Sequence, residues 1–252
     1  MQEVPVIGIA SVYTPAQNRG KGYAGSMMRL LSQRVREMTD GRGFSVLFSD
    51  VGPVFYAKNG GWNVCDATEL VIPSISTTFS DTSPVESLSL KQAEDCINDD
   101  VKILKEEFLG DPEFTIIQMI PQHTELEWAT LRDKQAAQYL LHEEPNVVGV
   151  KVSSPKGWGY VLWFHEHKES SLTVLRLREP PTDDGLRGLL GAAISEAKKS
   201  AFQKVTIWSP SERLENVAGI KKVVRKGALP GLLYFGEEEK VHWRTIEKMG
   251  WC

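Results

Sequence analysis

Apolar and polar residues in the first 70 positions alternate with periods typical of strands and helices. Residues 4–13 (VPVIGIASVY) are β-branched and apolar, with proline near both ends, which predicts a buried strand followed by a turn. From Ala24 to Met38 apolar residues recur at helical spacing, and the glycines of residues 40–43 end the predicted helix. Residues 44–51 predict a second strand. A crossover of this length predicts parallel pairing of the two strands.

Shorter elements follow the second strand. Residues 52–62 (GPVFYAKNGGW) have proline near the start and two glycines near the end, which predicts a short helix, and residues 63–73 predict a third strand. Residues 73–84 (PSISTTFSDTSP) are rich in Ser, Thr and Pro. We interpret them as a linker between domains at 1–72 and 85–252; a surface loop within one larger domain is the alternative.

The second half predicts an α+β domain. Its pattern indicates an amphipathic helix at 91–109, a hairpin turning near 168–171, a helix at 185–202 and a strand at 204–210. This strand–helix–strand order resembles that of the first half and suggests a weak internal repeat. The segment before the second helix, 179–188 (EPPTDDGLRG), is acidic and would repel an anion.

Composition and charge exclude several classes of function for this chain. The 252 residues have a net charge of -4 and a pI of about 5.8, so no basic excess indicates nucleic-acid binding. No uncharged run has the length of a membrane span, and the first residues resemble a strand rather than a signal peptide. The three cysteines are widely spaced, without the spacing of metal ligands. We expect a cytoplasmic protein without a metal.

Residues 19–31 (RGKGYAGSMMRLL) place three glycines and two cations directly before the predicted helix. The first amides of a helix lack partners and carry partial positive charge, and glycine lets an anion approach them. Gly20, Gly22 and Gly25 also fit the dinucleotide pattern GxGxxG. Against that alternative, Asp50 lies roughly thirty residues past Gly20, whereas the ribose-binding acid is expected after about twenty.

A more specific pattern overlaps these glycines. The segment Arg19-x-x-Gly22-x-Ala24, between a strand and an amphipathic helix, resembles the acyl-CoA-binding motif of the GNAT superfamily of N-acetyltransferases. Downstream, residues 55–62 (FYAKNGGW) are similar to that family's aromatic–Tyr–x–Lys–x–Gly–aromatic segment. A simple left-handed turn before a helix would account for the glycines but not for the second motif.

The resemblance implies an α/β fold, with a partial GNAT-type mixed sheet and flanking helices, and acetyl-CoA as co-substrate. The backbone amides of one loop would hold the CoA pyrophosphate, and its residues are Arg19, Gly20, Lys21, Gly22, Tyr23 and Ala24. The preceding strand end would bind the pantetheine arm through Val12, Tyr13 and Thr14. Tyr56 would protonate the departing thiolate, since a phenol stays protonated at neutral pH. The alternative for Tyr56 is an ordinary half-buried helix residue.

The chain departs from the family pattern at several points. Many members have Asn where this chain has Ser49, and the NGGW ending carries one glycine more than usual. The family fold also starts with elements that wall the acceptor site, whereas here the motif strand begins almost at Met1. Glu3 is the nearest acid that could act as a base, and it is a weak candidate.

Within the superfamily, residues 49–62, residues 240–252 and the two-part layout resemble the fungal lysine N-acetyltransferase group. The resemblance implies acetyl transfer from acetyl-CoA to a small-molecule amine, the side-chain amine of free lysine. The alternative is a CoA-binding or interaction protein that lacks the acceptor half of the fold.

Two histidines form the remaining candidate site. His165 and His167 lie two positions apart on a predicted strand, so they face the same side, as two metal ligands would. The sequence offers no evident third ligand. We therefore interpret them as structural or solvent-facing.

Overall fold

The computed structural model describes residues 3–80, 82–108, 113, 115–140, 145–236 and 241–251; Cys252 lies outside them. The strands there are β1 (Val6–Ile9), β2 (Phe44–Ser49), β3 (Asn63–Val64), β4 (Thr68–Pro73), β5 (Glu86–Leu88), β6 (Thr115–Ile117), β7 (Gly149–Ser154), β8 (Gly157–Glu166), β9 (Ser171–Arg178), β10 (Lys204–Trp208), β11 (Val223–Val224), β12 (Leu229–Tyr234) and β13 (Val241–Trp243). The α-helices are α1 (Tyr23–Met38), α2 (Val54–Gly60), α3 (Leu90–Glu107), α4 (His123–Leu140), α5 (Asp183–Lys199) and α6 (Glu212–Ala218).

A seven-stranded mixed sheet, ordered β11-β4-β10-β9-β8-β7-β5, forms the larger core. Side chains alternate between its faces along β8. Val161 and Trp163 pack towards α5, whereas Leu162 and Phe164 pack towards α3 and α4. Both faces of the sheet are therefore buried under helices, which explains why β8 is apolar almost throughout.

The helices of this larger core carry clear start signals. Ser89 and Gln92 form a capping box at the start of α3. At α5 the Thr182 hydroxyl accepts the amide of Gly185, and Asp183 and Asp184 occupy the first turn. At both helices a side-chain oxygen therefore accepts a hydrogen bond from an N-terminal backbone amide, so the helix start is capped by the chain itself.

A four-stranded sheet, ordered β1-β2-β12-β3, carries the glycine-rich loop. β1 and β2 are parallel, as predicted, and α1 connects them. β9, α5 and β10 repeat this arrangement, because β9 and β10 are also parallel. The predicted strand–helix–strand order of the two halves is thereby confirmed.

The strand predicted at 63–73 is wrong as a single element. β3 pairs with β12 in the four-stranded sheet, whereas β4 pairs with β10 and β11 in the seven-stranded sheet. The central strand β12 comes from the second half of the chain and pairs with β2 over six residues. The local sequence pattern cannot reveal that a strand from the second half of the chain pairs with strands of the first half. A strand has the same apolar pattern whichever partner it pairs with.

Residues 73–84 connect β4 to β5, and both strands belong to the seven-stranded sheet. The sequence predicted a linker between domains here, with a surface loop within one larger domain as the alternative. The amide of Ser74 bonds the carbonyl of Gln203, and the amide of Ser83 bonds that of Asp184. Phe79 packs against the core beneath α5.

Across the described ranges, no helix is both long and apolar enough to cross a membrane. In the same part of the chain, no group of three or more His, Cys, Asp or Glu side chains could hold a metal ion.

Candidate acyl-CoA site

The N-terminus of α1 is open in the way that an anion site requires. Its N-cap is Gly22, with φ 79°, which supplies no side chain to the first amides. A Cβ added at Gly20 or Gly22 would meet nothing within 4 Å. The first turn contains no acidic residue, unlike that of α5. The residues present therefore fit a phosphate at this helix start.

Two cations flank these amides. Arg19 donates from Nε to the carbonyl of Thr14 at 3.0 Å, and its guanidinium lies 5.8 Å from the ring centroid of Tyr13. The Lys21 ammonium lies 3.4 Å from Oδ1 of Asn18. The loop is thus folded by its own side chains, with both cations exposed beside the helix start.

The third glycine has a different role. Gly25 is buried inside α1, and a Cβ there would lie 2.6 Å from Oδ1 of Asn59 on α2. Arg29 donates to the same oxygen at 3.1 Å. Gly25 therefore allows α1 and α2 to approach closely.

The parallel pairing of β1 and β2 ends at Ile9 and Leu47, although β2 continues to Ser49. Ser11, just beyond the end of β1, has φ 56°, an uncommon value for a residue other than glycine. The predicted strand at 4–13 is therefore shorter than expected. Val12, Tyr13 and Thr14 lie beyond the strand, as an unpaired segment between β1 and the glycine loop.

Tyr56 lies on α2, in the apolar cluster that joins α1 and α2 to the four-stranded sheet. It is half-buried, and its ring meets that of Phe55 edge-on at 5.0 Å. Burial, and secondly the negative charge of Asp50, raise the pKa of Tyr56 above its usual range. The phenol therefore remains a proton donor throughout the neutral range.

The departures noted in the sequence have local structural causes. Ser49 Oγ donates to the carbonyl of Gly52 and accepts the amide of Val51, so it shapes the turn between β2 and α2. Gly61 ends α2 with φ 85°. A Cβ at Gly60 would lie 2.2 Å from the fully buried ring of Trp62. Both glycines are needed for the chain to turn around this indole.

His165 is buried and forms part of an ion triad rather than a metal site. Its Nδ1 lies 2.9 Å from Asp133, and its Nε2 lies 3.3 Å from Glu196. Its ring stacks near that of His167, with 6.3 Å between centroids. The two carboxylates come from α4 and α5, on opposite faces of the sheet, which the local sequence could not indicate.

The family described as GNAT_LYC1-like, the LYC1 GNAT-like C-terminal domain, matches residues 69–252, almost three quarters of the chain. The chain belongs to this family. The match to the LYC1 GNAT-like family starts inside β4 and ends at the last residue. The glycine-rich loop and Tyr56 lie before it.

Known proteins extend the likeness over the first strands. A lysine acetyltransferase of Yarrowia lipolytica (strain CLIB 122 / E 150) is 24% identical over 264 residues, covering 86% of this chain and 66% of that protein. Among solved structures, a GCN5-related N-acetyltransferase from Anabaena variabilis is 17% identical with a TM-score of 0.55, covering 92% of this chain and 56% of the other. A probable N-acyltransferase from Enterococcus faecalis V583 is 14% identical with a TM-score of 0.54, covering 92% and 55%.

These likenesses show a GNAT-type fold across both sheets of this LYC1 GNAT-like family member. The predicted fold class, a GNAT-type mixed sheet with flanking helices and a C-terminal α+β part, is confirmed. The chain spans less than two thirds of the length of the relatives described above.

Proposed function

We propose that this chain carries the acyl-CoA-binding half of an N-acetyltransferase, which moves acetyl from acetyl-CoA to the side-chain amine of free lysine. The proposal rests chiefly on the uncapped start of α1, the helix that connects the parallel strands β1 and β2. A phosphate at the helix start would leave the remainder of CoA free to follow residues 12–14 towards the ends of these strands.

The residues of the site would hold acetyl-CoA in place and protonate its leaving sulfur. Bound at α1, CoA would present its thioester near the ends of β1 and β2. The amine nitrogen attacks the thioester carbonyl, the C–N bond forms, and the C–S bond breaks. The sulfur takes a proton from the Tyr56 hydroxyl while the amine loses one to a base or water. The raised pKa of Tyr56 supports the donor role.

Free lysine as the acceptor is supported by the motif resemblance and by the name of the Yarrowia lipolytica relative. The acid considered from the sequence is not placed for proton removal. Glu3 forms an ion pair with Lys105 of α3 at 2.6 Å, before the start of β1. That position is at the opposite end of β1 from the separation at Ile9.

One observation favours a second candidate, a CoA-binding or interaction protein that does not transfer acetyl. β1 is the edge strand of its sheet, and Val6 and Gly8 on it are exposed. Edge strands expose unpaired backbone groups that another chain segment could use. A CoA-binding protein would retain the α1 site and lack turnover.

The test is an acetylation assay with the purified chain, acetyl-CoA and lysine, followed by mass spectrometry of the amine. We expect Nε-acetyl-lysine and release of free CoA thiol in equal amounts. Tight acetyl-CoA binding without any product would favour the second candidate. Absence of both binding and product would overturn the proposal.

A further inference from the structure

Two buried cations lie on one indole at the end of β10. The guanidinium of Arg225 is 3.6 Å from the ring centroid of Trp208, and the ammonium of Lys248 is 4.6 Å from it. Arg225 is 4% exposed and Lys248 is 6% exposed. We call Trp208, Arg225 and Lys248 the indole–cation cluster.

Among the described residues, neither cation has a hydrogen-bonded counter-ion. Nε, Nη1 and Nη2 of Arg225 all lack a partner within the described ranges. In those ranges the carboxylate of Glu166 lies within 4 Å of Lys248. Its Oε1 is 3.9 Å from Nζ of Lys248, which is too far for a hydrogen bond. Buried charges are normally paired, whereas in the described ranges Glu69 and Glu166 act on these two cations without a hydrogen bond to either.

Burial lowers the pKa of both cations. It lowers the pKa of Arg225 to about 10, although Glu69 opposes the shift. It lowers the pKa of Lys248 to about 8, with Glu166 opposing and Arg132 and Arg225 adding to the effect. An anion bound between these cations would reverse both shifts.

Trp208 and Lys248 of the cluster line a cavity of about 280 Å³, which Glu179 and Glu247 also line. Leu177, Glu179 and Thr245 line this cavity and also a larger neighbouring one that opens to solvent. The smaller volume lies just below the range typical of sites for drug-sized ligands, so it suits a molecule the size of an amino acid.

Trp208 lines the cavity and also contacts the end of β2. Phe48 of β2 packs its ring 5.7 Å from that of Trp208, one residue before the end of the strand. Asp50, in the following turn, contributes to the electrostatic environment of both Tyr56 and Lys248. The Trp208 wall of the cavity therefore contacts β2 beyond the last residues at which β1 and β2 pair.

We propose that Lys248 binds the carboxylate of the acceptor amino acid, with Trp208 as the wall of the pocket and Arg225 as a second positive charge on the same indole. This inference rests on the proposed function and assigns its acceptor subsite. The carboxylate satisfies the ammonium of Lys248, and the four methylene groups of a lysine acceptor extend towards β2. Amines without a carboxylate are poor acceptors.

Three ligands of matched length test the subsite by calorimetry, each titrated with and without saturating CoA. They are lysine, 6-aminohexanoate, which lacks the α-amine, and cadaverine, which lacks the carboxylate. We expect lysine and 6-aminohexanoate to bind at least about tenfold more tightly than cadaverine, the difference of one charge-assisted hydrogen bond. Equal binding of all three, or no binding of any, would overturn the inference.

Two substitutions assign that preference to the cluster. Lys248→Met should weaken lysine binding about ten- to a hundredfold and leave cadaverine unchanged. Arg225→Met should weaken lysine binding in the same direction while leaving the melting temperature unchanged or higher, because it removes an unpaired buried charge. The matched control is Lys102→Met, at an exposed lysine of α3. It should change the affinity for neither lysine nor cadaverine. Equal weakening of lysine and cadaverine would contradict the inference.

The outcome separates this inference from the proposed function. If Lys248→Met binds acetyl-CoA and forms Nε-acetyl-lysine at high lysine concentration, the proposed acetyltransferase function is supported. The subsite is then tested separately, by the affinity of this variant for lysine. If acetyl-CoA binds but lysine shows no preference over cadaverine, only the subsite is overturned. If lysine binds through Lys248 but acetyl-CoA does not bind, only the acetyltransferase proposal is overturned.

Discussion

Tyr56 is the residue on which the proposed chemistry depends. Its position on α2 follows from the short helix predicted by the FYAKNGGW segment, and the helix is present. Its environment could not be predicted from that segment. Burial, and secondly the charge of Asp50 at the start of the preceding turn, raise the pKa of Tyr56 and keep the phenol protonated.

Tyr56→Phe should slow acetyl transfer by about a hundredfold or more, because it removes the proton donor to the leaving sulfur. Acetyl-CoA affinity should stay the same, since the phosphate site on α1 is untouched. Steady-state kinetics and calorimetry measure the two effects separately. Tyr139→Phe, at an 88% exposed tyrosine on α4, is the control. An unchanged rate for Tyr56→Phe would remove this residue from the mechanism.

His165 gives the fold a pH dependence of its own. Burial lowers the pKa of this imidazole, but its hydrogen bonds to Asp133 and Glu196 outweigh burial and raise the pKa to about 9. A folded pKa above the unfolded value of about 6.5 stabilises the protein fully below that unfolded value, and the stabilisation is lost as pH rises through about 9.

The contribution of His165 to the free energy of unfolding, taken as the difference between the wild-type chain and His165→Gln, should therefore fall between pH 6.5 and pH 9 by an amount on the order of 3 kcal/mol. Urea unfolding of both proteins at a series of pH values measures it. His165→Gln lacks this contribution, because glutamine does not titrate. A difference that rises over this interval would contradict the assignment of a charged His165.

The helix α1 shows how far an element can be predicted from sequence. Its apolar spacing predicted a helix from Ala24 to Met38, and the helix runs from Tyr23 to Met38. The glycines before it predicted an open helix start, which Gly22 provides. The role of Gly25 was not predictable, because it depends on Asn59 from another helix.

A matched pair of substitutions tests the start of α1. Gly22→Gln and Gly22→Glu impose the same backbone strain, since both place a side chain at φ 79°. Of the two, only the glutamate variant adds a negative charge at the helix amides. We expect Gly22→Glu to weaken acetyl-CoA binding at least about tenfold more than Gly22→Gln, by calorimetry. Equal affinities of the two variants would place the phosphate elsewhere.

The whole molecule depends on strand exchange between the halves of the chain. The parallel pairs around α1 and α5 were predictable, because each is local in sequence. The position of β12 between β2 and β3 was not, because nothing near residues 229–234 indicates a partner so distant in the chain. α4 was also missed, since its apolar residues form no clear stripe.

This exchange predicts how fragments behave. A fragment of residues 1–72 lacks β12, so β2 keeps only β1 as a neighbour and β3 loses its partner. We expect it to show no cooperative unfolding transition by circular dichroism. A fragment of residues 68–252, which retains the seven-stranded sheet, should unfold cooperatively. Cooperative unfolding of the 1–72 fragment would show that its two paired strands suffice.

The central claim is that the start of α1 binds the phosphates of acetyl-CoA. The most direct measurement is calorimetric titration of the chain with acetyl-CoA and, separately, with NADH, each with a thermal melt. The account predicts that acetyl-CoA binds and raises the melting temperature while NADH does neither. Binding of NADH without binding of acetyl-CoA would contradict it and would favour the dinucleotide interpretation of the glycines.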